Sequence, residues 1–210
     1  MSEIIVLFDG FSNMSGKDQL DANCSCTLIK GMHNIIVDTM TAWDADKIKN
    51  ALQQNQMIPE AINYVVSTHG HSDHVGNNNL FLNAKHIVGF SISFREKYFM
   101  HPFDKGEEYK INDSVKVIPT PGHTQSDVTV IATTRRGEAI AITGDLFERR
   151  EDIENPSIWL EAGSEDPVQQ MKNRSKVADS ASWIVPGHGT KFRVTDEIRQ
   201  ILRKQAQDSS

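Results

Sequence analysis

The sequence predicts an α/β protein in which two β-sheets are packed together between outer helices. Three observations support this prediction. Short apolar strands alternate with helical segments, each half of the chain runs through strands, a helix and another strand, and several strands end in polar motifs. The 210 residues suffice for one sizeable core, and we expect a single domain over residues 1–210.

The first half of the chain predicts a group of strands around one helix. Residues 44–55 place alanine, isoleucine and leucine at helical spacing, with Asp44 as a candidate N-cap and Pro59 shortly after the end. Gly31 is expected to turn a hairpin between the second and third strands. The strands are expected at residues 4–8, 26–30, 34–39, 62–68 and 85–90.

The second half repeats this plan in pattern, although not in its letters. Helices are expected at residues 166–180 and 195–206. Turns at Asn112-Asp113 and at Arg135-Arg136-Gly137 separate two strand pairs. The strands are expected at residues 109–113, 114–120, 127–134, 138–143 and 182–186.

Composition excludes several classes of protein. The formal net charge is −6, from 22 basic and 28 acidic residues, which argues against a broad cationic surface for duplex nucleic acid. No apolar run has the length of a signal-peptide core or a membrane span. Cys24 and Cys26 are too close in sequence for a comfortable disulfide, so we expect buried or half-buried free thiols. The expected location is intracellular, cytoplasmic or nuclear or both.

Four short motifs follow predicted strands and contain five of the eight histidines. Imidazole and carboxylate groups are the usual protein ligands for Zn²⁺ and similar cations, and the adjacent glycines let the backbone turn sharply. The motifs are "HGHSDH" at 69–74, "PGHT" at 121–124, "GD" at 144–145 and "PGHG" at 186–189.

The first motif supplies half of a two-metal site. His69 and His71, two residues apart, can converge on one ion, while Asp73 and His74 face a second. The remaining ligands have to come from the other three motifs. His123 would complete the first ion, His188 would complete the second, and the two oxygens of Asp145 would serve both, with a hydroxide between the ions.

In this order the motifs resemble the metallo-β-lactamase superfamily. The resemblance extends over most of the chain, from about residue 25 to 190, and implies an αββα four-layer sandwich of two mixed sheets with helices outside. It implies the same two ligand sets, bridged by Asp145, and a role for Asp73 in orienting the hydroxide. Asp38, in "IIVDT", matches a strand-end aspartate expected to brace the ligand loop, although Met40 replaces the usual small residue nearby.

Longer stretches resemble a subfamily associated with hydrolysis of histone pre-mRNA at the 3′ end. These stretches include "STHGHSDHVGN", "PTPGHTQSDV" and "VPGHGTKFRV". The resemblance therefore implies a dinuclear endoribonuclease with an RNA substrate. Zn²⁺ is the expected metal, and Fe or Mn also suits these ligands.

Two other functions stay open. One is a small-molecule thioester hydrolase, similar to glyoxalase II, which would use the same ligands. The other is a non-enzymatic metal-binding adaptor whose catalytic site has decayed, which the intact set of seven ligands argues against. Only 22 residues follow His188, so we expect neither the glutathione-gripping domain of the thioesterases nor the inserted domain of large nucleases. Arg149 and Arg150, close behind Asp145, are candidate contacts for an anionic substrate, and a homodimer could build a longer groove.

Overall fold

Two mixed β-sheets face each other in the computed structural model, which describes residues 2–208. Parallel pairing is confined to the middle of the first sheet, and antiparallel strands extend it on both sides. With strands numbered along the chain, the spatial order of this sheet is β1 (Glu3–Phe8), β4 (Cys26–Lys30), β5 (Ile35–Val37), β6 (Tyr64–Ser67), β7 (Lys85–Val88), β8 (Ser91–Phe94) and β9 (Lys97–Phe99). A separate hairpin consists of β2 (Phe11–Gly16) and β3 (Gln19–Asn23).

The second sheet has six strands, of which one neighbouring pair is parallel. Its spatial order follows the chain and comprises β10 (Tyr109–Asn112), β11 (Val115–Pro119), β12 (Val128–Thr133), β13 (Ala139–Gly144), β14 (Trp183–Pro186) and β15 (Phe192–Arg193). The α-helices are α1 (Ala45–Gln54), α2 (Ser72–Val75), α3 (Ser157–Glu161), α4 (Pro167–Ser180) and α5 (Asp196–Asp208).

Three buried clusters define the layers. The central cluster joins the inner faces of both sheets, for example Val66 of the first and Val130 of the second. Another places Ile48 of α1 with Leu28 and Val65 on the outer face of the first sheet, and the third places α4 and α5 on the outer face of the second sheet. The layers run helix, sheet, sheet, helix, which confirms the predicted α/β sandwich.

The local pattern predicted most strands but missed the small elements. The β2–β3 hairpin, β8, β9, β15 and the short helices α2 and α3 lack a strong apolar period.

Helix α1 begins after Asp44 as predicted, but the Asp44 carboxylate makes no capping hydrogen bond and instead accepts from Asn23 Nδ2 and Thr41 Oγ1. Both cysteines are buried and free, as predicted. No helix among residues 2–208 combines the length and apolarity that a membrane crossing requires.

A buried ion pair fixes α4 to the loop after β13. Arg174 and Asp152 are both fully buried, and the guanidinium donates to both carboxylate oxygens and to the Leu146 carbonyl. The same guanidinium lies over the ring of Phe147, with 4.2 Å from Cζ to the ring centroid. Asp152 also accepts a hydrogen bond from the Glu148 backbone N–H at 2.8 Å. Helix α4 therefore holds a loop that leads away from a predicted metal ligand, Asp145.

We expect Arg174→Met to lower the free energy of unfolding by about 3–5 kcal/mol, because the substitution leaves the Asp152 charge buried without its partner. Urea denaturation followed by circular dichroism measures the change. Arg203→Met is the matched control, since Arg203 pairs with Asp179 at the surface and such pairs contribute about 0–1 kcal/mol. A wild-type urea midpoint for Arg174→Met would contradict this account.

Candidate metal centre

The ends of four central strands converge at one edge of the sandwich. His69 follows β6, and the next residues enter α2, which supplies Asp73 and His74. His123 and Asp145 follow β11 and β13, and His188 follows β14. The strands and loops of the first sheet therefore supply His69, His71, Asp73 and His74, and those of the second sheet supply His123, Asp145 and His188.

Three groups of side chains each bring their ligand atoms within 4.8 Å of one another, and two of them consist entirely of predicted ligands. These two are His69, His71, His123 and Asp145, and Asp73, His74 and His188; the third joins His74 to Cys24 and Asp38. The division expected from the sequence differs from the first two groups only in sharing Asp145 between both. All seven predicted ligands lie together in the structure, while their assignment to individual ions stays a prediction.

Asp145 lies between the two groups. Its Oδ2 is 3.6 Å from His69 Nε2, 3.4 Å from His123 Nε2 and 3.3 Å from His188 Nε2. Its Oδ1 is 3.2 Å from His74 Nε2. One carboxylate thus faces histidines of both groups, which is the position a bridging ligand requires.

Several of these buried ligand atoms have no hydrogen-bond partner among the described residues. They are His69 Nε2, His74 Nε2, Asp73 Oδ2 and Asp145 Oδ1. An unpartnered buried polar atom costs about 1–3 kcal/mol, so native proteins rarely retain a cluster of them without a use. The donor set of imidazole and carboxylate, together with these unpartnered atoms, fits divalent metal ions.

Burial and neighbouring charges shift the pKa values of the clustered histidines and of Asp145. Burial lowers the pKa of His69 well below its usual value, and the neighbouring His74 adds to this shift. Burial also opposes charge on His74 and His188, but Asp145 overcomes it, raising the pKa of His74 well above the usual value and that of His188 to about 9. In return His74 and His188 hold the pKa of Asp145 well below its usual range despite its burial.

Asp38 braces the ligand loop from β5. Its carboxylate accepts from the Thr68 backbone N–H at 2.7 Å and lies 3.0 Å from His74 Nδ1. Asp38 and Met40 both have positive φ, of 57° and 56°, so this turn is tightly constrained. The Met40 side chain is buried in the cluster under the first sheet, which explains how this position accepts a larger residue.

Two glycines allow the strand ends to approach this closely. At Gly144 the φ is +52°, and an added Cβ would lie 2.2 Å from Thr68 Oγ1. At Gly187 an added Cβ would lie 1.9 Å from Asp145 Oδ1. Each position therefore requires glycine, because a side chain would displace Asp145 or the Thr68 that supports Asp38.

Two acidic residues near the ligands were not identified from the sequence. Asp127 is buried, accepts from the Thr124 backbone N–H and lies 3.8 Å from His69 Nδ1. Burial raises its pKa to about 7. Burial, together with Asp145, raises the pKa of Glu148 to about 8. Asp127 follows the motif at 121–124, and Glu148 follows the motif at 144–145. Nothing in the surrounding sequence distinguishes either residue from an ordinary surface carboxylate.

A cavity of about 580 Å³ opens over the ligands. The β2–β3 hairpin lines one part of the cavity and α3 lines another. Arg149 lines the cavity and donates through Nη1 to the Ser12 carbonyl, whereas Arg150 is ion-paired with Glu154 and is not among the lining residues. The lining residues are Ser12, Asn13, Met14, Leu20, Ala22, His71, Ser72, Asp73, His123, Asp145, Glu148, Arg149, Ile158, Glu161, Ala162 and His188.

The family model described as "Metallo-beta-lactamase superfamily" matches residues 21–188. The chain belongs to this superfamily. Its fold binds divalent metals, and its members are metal-dependent hydrolases. The sequence-based resemblance is thereby confirmed at the level of the superfamily.

Similar proteins agree with this assignment. A Xenopus laevis protein named Metallo-beta-lactamase domain-containing protein 1 is 38% identical over 90% of this chain and 80% of its own length. The human protein of that name is 36% identical over 79% of this chain, and the match spans 62% of the human protein. A crystal structure from Thermotoga maritima, described as a "putative metallo-beta-lactamase", aligns with TM-score 0.68 at 20% identity, covering 91% of this chain and 99% of its own.

We expect Asp38→Asn to weaken zinc binding by about 10- to 100-fold, because residues that orient a ligating histidine have effects of this size. Competition with a chromophoric chelator measures the affinity. Asp46→Asn is the matched control, since Asp46 is an exposed carboxylate at the start of α1. Unchanged affinity in a folded Asp38→Asn protein would exclude the bracing role.

The stability of metal-free protein should fall as the pH rises from about 6.5 to about 9. His188 has a folded-state pKa of about 9 against a usual 6.5, so its contribution is complete below 6.5 and is lost as the pH passes through 9. Added Zn²⁺ should oppose this trend, because its ligands must be deprotonated. Thermal melts in EDTA and in zinc, across this pH range, measure both effects.

His188→Gln should flatten the pH dependence of the metal-free melts. His101→Gln is the control, because His101 lies outside the ligand groups. A melting temperature that rises with pH in the metal-free wild-type protein would be inconsistent with the charge arrangement around Asp145.

Proposed function

We propose that the chain is a dinuclear zinc-dependent hydrolase that cleaves RNA phosphodiester bonds. The observation that carries the dinuclear proposal is the position of Asp145, whose two carboxylate oxygens face histidines of both ligand groups. His69, His71 and His123 would hold one ion, and Asp73, His74 and His188 the other. When bound, two such ions lower the pKa of a water between them and stabilise negative charge that develops on the substrate.

The residues of the chain prepare this chemistry before substrate arrives. Asp73 Oδ2 lies 3.8 Å from His188 Nε2 and 3.9 Å from His74 Nε2, and the Asp73 side chain also lines the cavity. A carboxylate can hold an ion and also accept a hydrogen bond from the attacking water, so Asp73 would orient that water. Asp38 and Thr68 hold the loop in place, which limits the movement needed during the reaction.

RNA is proposed as the substrate because of the motif stretches that the chain shares with the subfamily associated with histone pre-mRNA processing. The similarity to proteins named Metallo-beta-lactamase domain-containing protein 1 extends over most of this chain and supports the same grouping. The cavity is lined by the β2–β3 hairpin, α3 and the predicted ligands, so a substrate bound in it would lie next to those ligands. Arg149 is the cationic side chain placed to meet a phosphate there.

A small thioester is the second candidate, and the chemistry of the cavity walls favours it. Met14, Leu20 and Ile158 supply apolar surface on both walls, suited to an acyl group. Arg149 is already hydrogen-bonded to the Ser12 carbonyl, and Glu148 and Glu161 add negative charge. These features suit a compact carbonyl substrate better than a polyanion.

Direct competition between substrates tests the proposal. Zinc-loaded protein is incubated with a labelled single-stranded RNA, a DNA of the same sequence and S-D-lactoylglutathione. We expect RNA products that disappear in Asp145→Ala protein purified in parallel, because this substitution removes the bridging carboxylate. The parallel purification controls for contaminating ribonuclease.

The alternative outcomes are distinct. Thioester turnover without RNA products, abolished by Asp145→Ala, would replace the first candidate with the second. Zinc analysis by mass spectrometry is performed on the same samples, with two equivalents expected in the wild-type protein. One tightly bound equivalent would contradict the dinuclear proposal.

A further inference from the structure

Glu148 occupies an unusual position beside the ligands. It lies three residues beyond Asp145, is only 3% exposed and lines the cavity. Its backbone is fixed at both ends, since its N–H donates to Asp152 at 2.8 Å and its carbonyl accepts from the His188 N–H at 2.8 Å. Because Asp152 is held by the buried Arg174, the Glu148 backbone is anchored in a buried network of hydrogen bonds.

The side chain has an unmet hydrogen-bonding requirement. Glu148 Oε1 is buried and has no hydrogen-bond partner among residues 2–208. The arginine next to it in sequence is used elsewhere, because Arg149 donates to the Ser12 carbonyl, and His188 Nε2 faces Asp145 Oδ2 at 3.3 Å. Glu148 is also outside the groups of side chains that bring their ligand atoms together. A rigid, buried, unpartnered acceptor on a cavity wall is the arrangement expected where a ligand supplies the missing donor.

We infer that Glu148 accepts a hydrogen bond from a substrate hydroxyl group on the atom adjacent to the scissile centre. This inference rests on the proposed hydrolytic function and names a feature of its substrate. Glu148, Asp145 and His188 line the same cavity, and the Glu148 carboxylate is close enough to interact electrostatically with both, so a substrate whose reacting atom lies near His188 and Asp145 has its neighbouring atom within reach of Glu148. A neutral hydroxyl fits beside two divalent ions better than an ammonium group, which the ions would repel.

Two substrates carry this chemistry. In RNA the ribose 2′-hydroxyl is next to the scissile phosphodiester, and in a 2-hydroxyacyl thioester the hydroxyl is next to the scissile carbonyl. In both cases Glu148 would discriminate against the analogue that lacks the hydroxyl, because that analogue leaves Oε1 buried without a partner. Glu148 would then be a specificity-determining residue rather than part of the metal-binding set.

Paired substrates test the inference. The first pair is an RNA and the same strand with one 2′-deoxynucleotide at the scissile position, and the second is S-D-lactoylglutathione and S-propionylglutathione. We expect wild-type kcat/KM to favour the hydroxylated member of the cleaved pair by about tenfold, because the other member leaves a buried oxygen without a hydrogen-bond partner. Glu148→Met should reduce this preference to about twofold or less, and the matched control Glu161→Met, on the part of the cavity lined by α3, should retain it.

Binding of product analogues keeps the test independent of turnover. Calorimetry with D-lactate and with propionate on zinc-loaded protein should show the same preference in wild type and its loss in Glu148→Met. If neither substrate pair is cleaved, the proposed function fails while this comparison still decides the role of Glu148. Equal binding of the two acids by wild type, or a preference that persists in Glu148→Met, overturns the inference.

Thermal melts of metal-free protein separate this role from a structural one. Because Oε1 lacks a partner, Glu148→Met should melt at or above the wild-type temperature. A marked decrease, with weaker binding of both acids and no change in their ratio, would indicate a structural residue and overturn the inference. If Glu148→Met does not fold, Glu148→Gln has the same shape and a weaker acceptor, and it should reduce the preference severalfold.

Discussion

The burial of the Asp145 carboxylate among histidines from both sheets is the interaction on which the rest of the structure depends. A lone buried carboxylate is costly, but four imidazole nitrogens lie within 3.2–3.6 Å of its two oxygens. Neither sheet can provide this environment alone, because His69 and His74 follow a strand of the first sheet whereas His123 and His188 follow strands of the second. The relative position of the sheets is therefore a requirement of the centre as well as of the core.

The central core holds the two sheets together, and hydrogen bonds beside the ligands fix their relative position more exactly. Apolar residues on the inner faces hold the sheets together, but dispersion and burial are not directional. Direction comes from polar contacts next to the ligands: Asp38 with Thr68 on one side, and Arg174 with Asp152 on the other. Gly144 has no side chain to collide with Thr68, so the backbone just before Asp145 can lie against the residue that supports Asp38.

The sequence predicted the scaffold and the ligand cluster for different reasons. Apolar periodicity identified the long helices and central strands, because burial on one face is a local and repeated signal. The ligands were identifiable because histidine, aspartate and glycine follow successive strands in a recognisable order. Asp127 and Glu148 were missed, since their burial depends on how distant segments pack. The same is true of Arg174, which resembles any surface arginine of α4 until its contact with Asp152 is known.

Some of the elements that the sequence did not predict line the cavity over the ligands. The β2–β3 hairpin and α3 line the cavity but contribute little to the three buried clusters, and apart from the buried Trp159 their side chains can be replaced without disturbing those clusters. Substitutions there can change the substrate while the hydrolytic centre stays the same. Glu148 differs from these walls, because its backbone bonds to His188 and Asp152 connect it to the rigid part of the molecule. A substrate contact at this position is therefore held in place relative to His188. Selectivity for the group next to the scissile bond is therefore best placed on Glu148, and selectivity for the remainder of the substrate on the two walls.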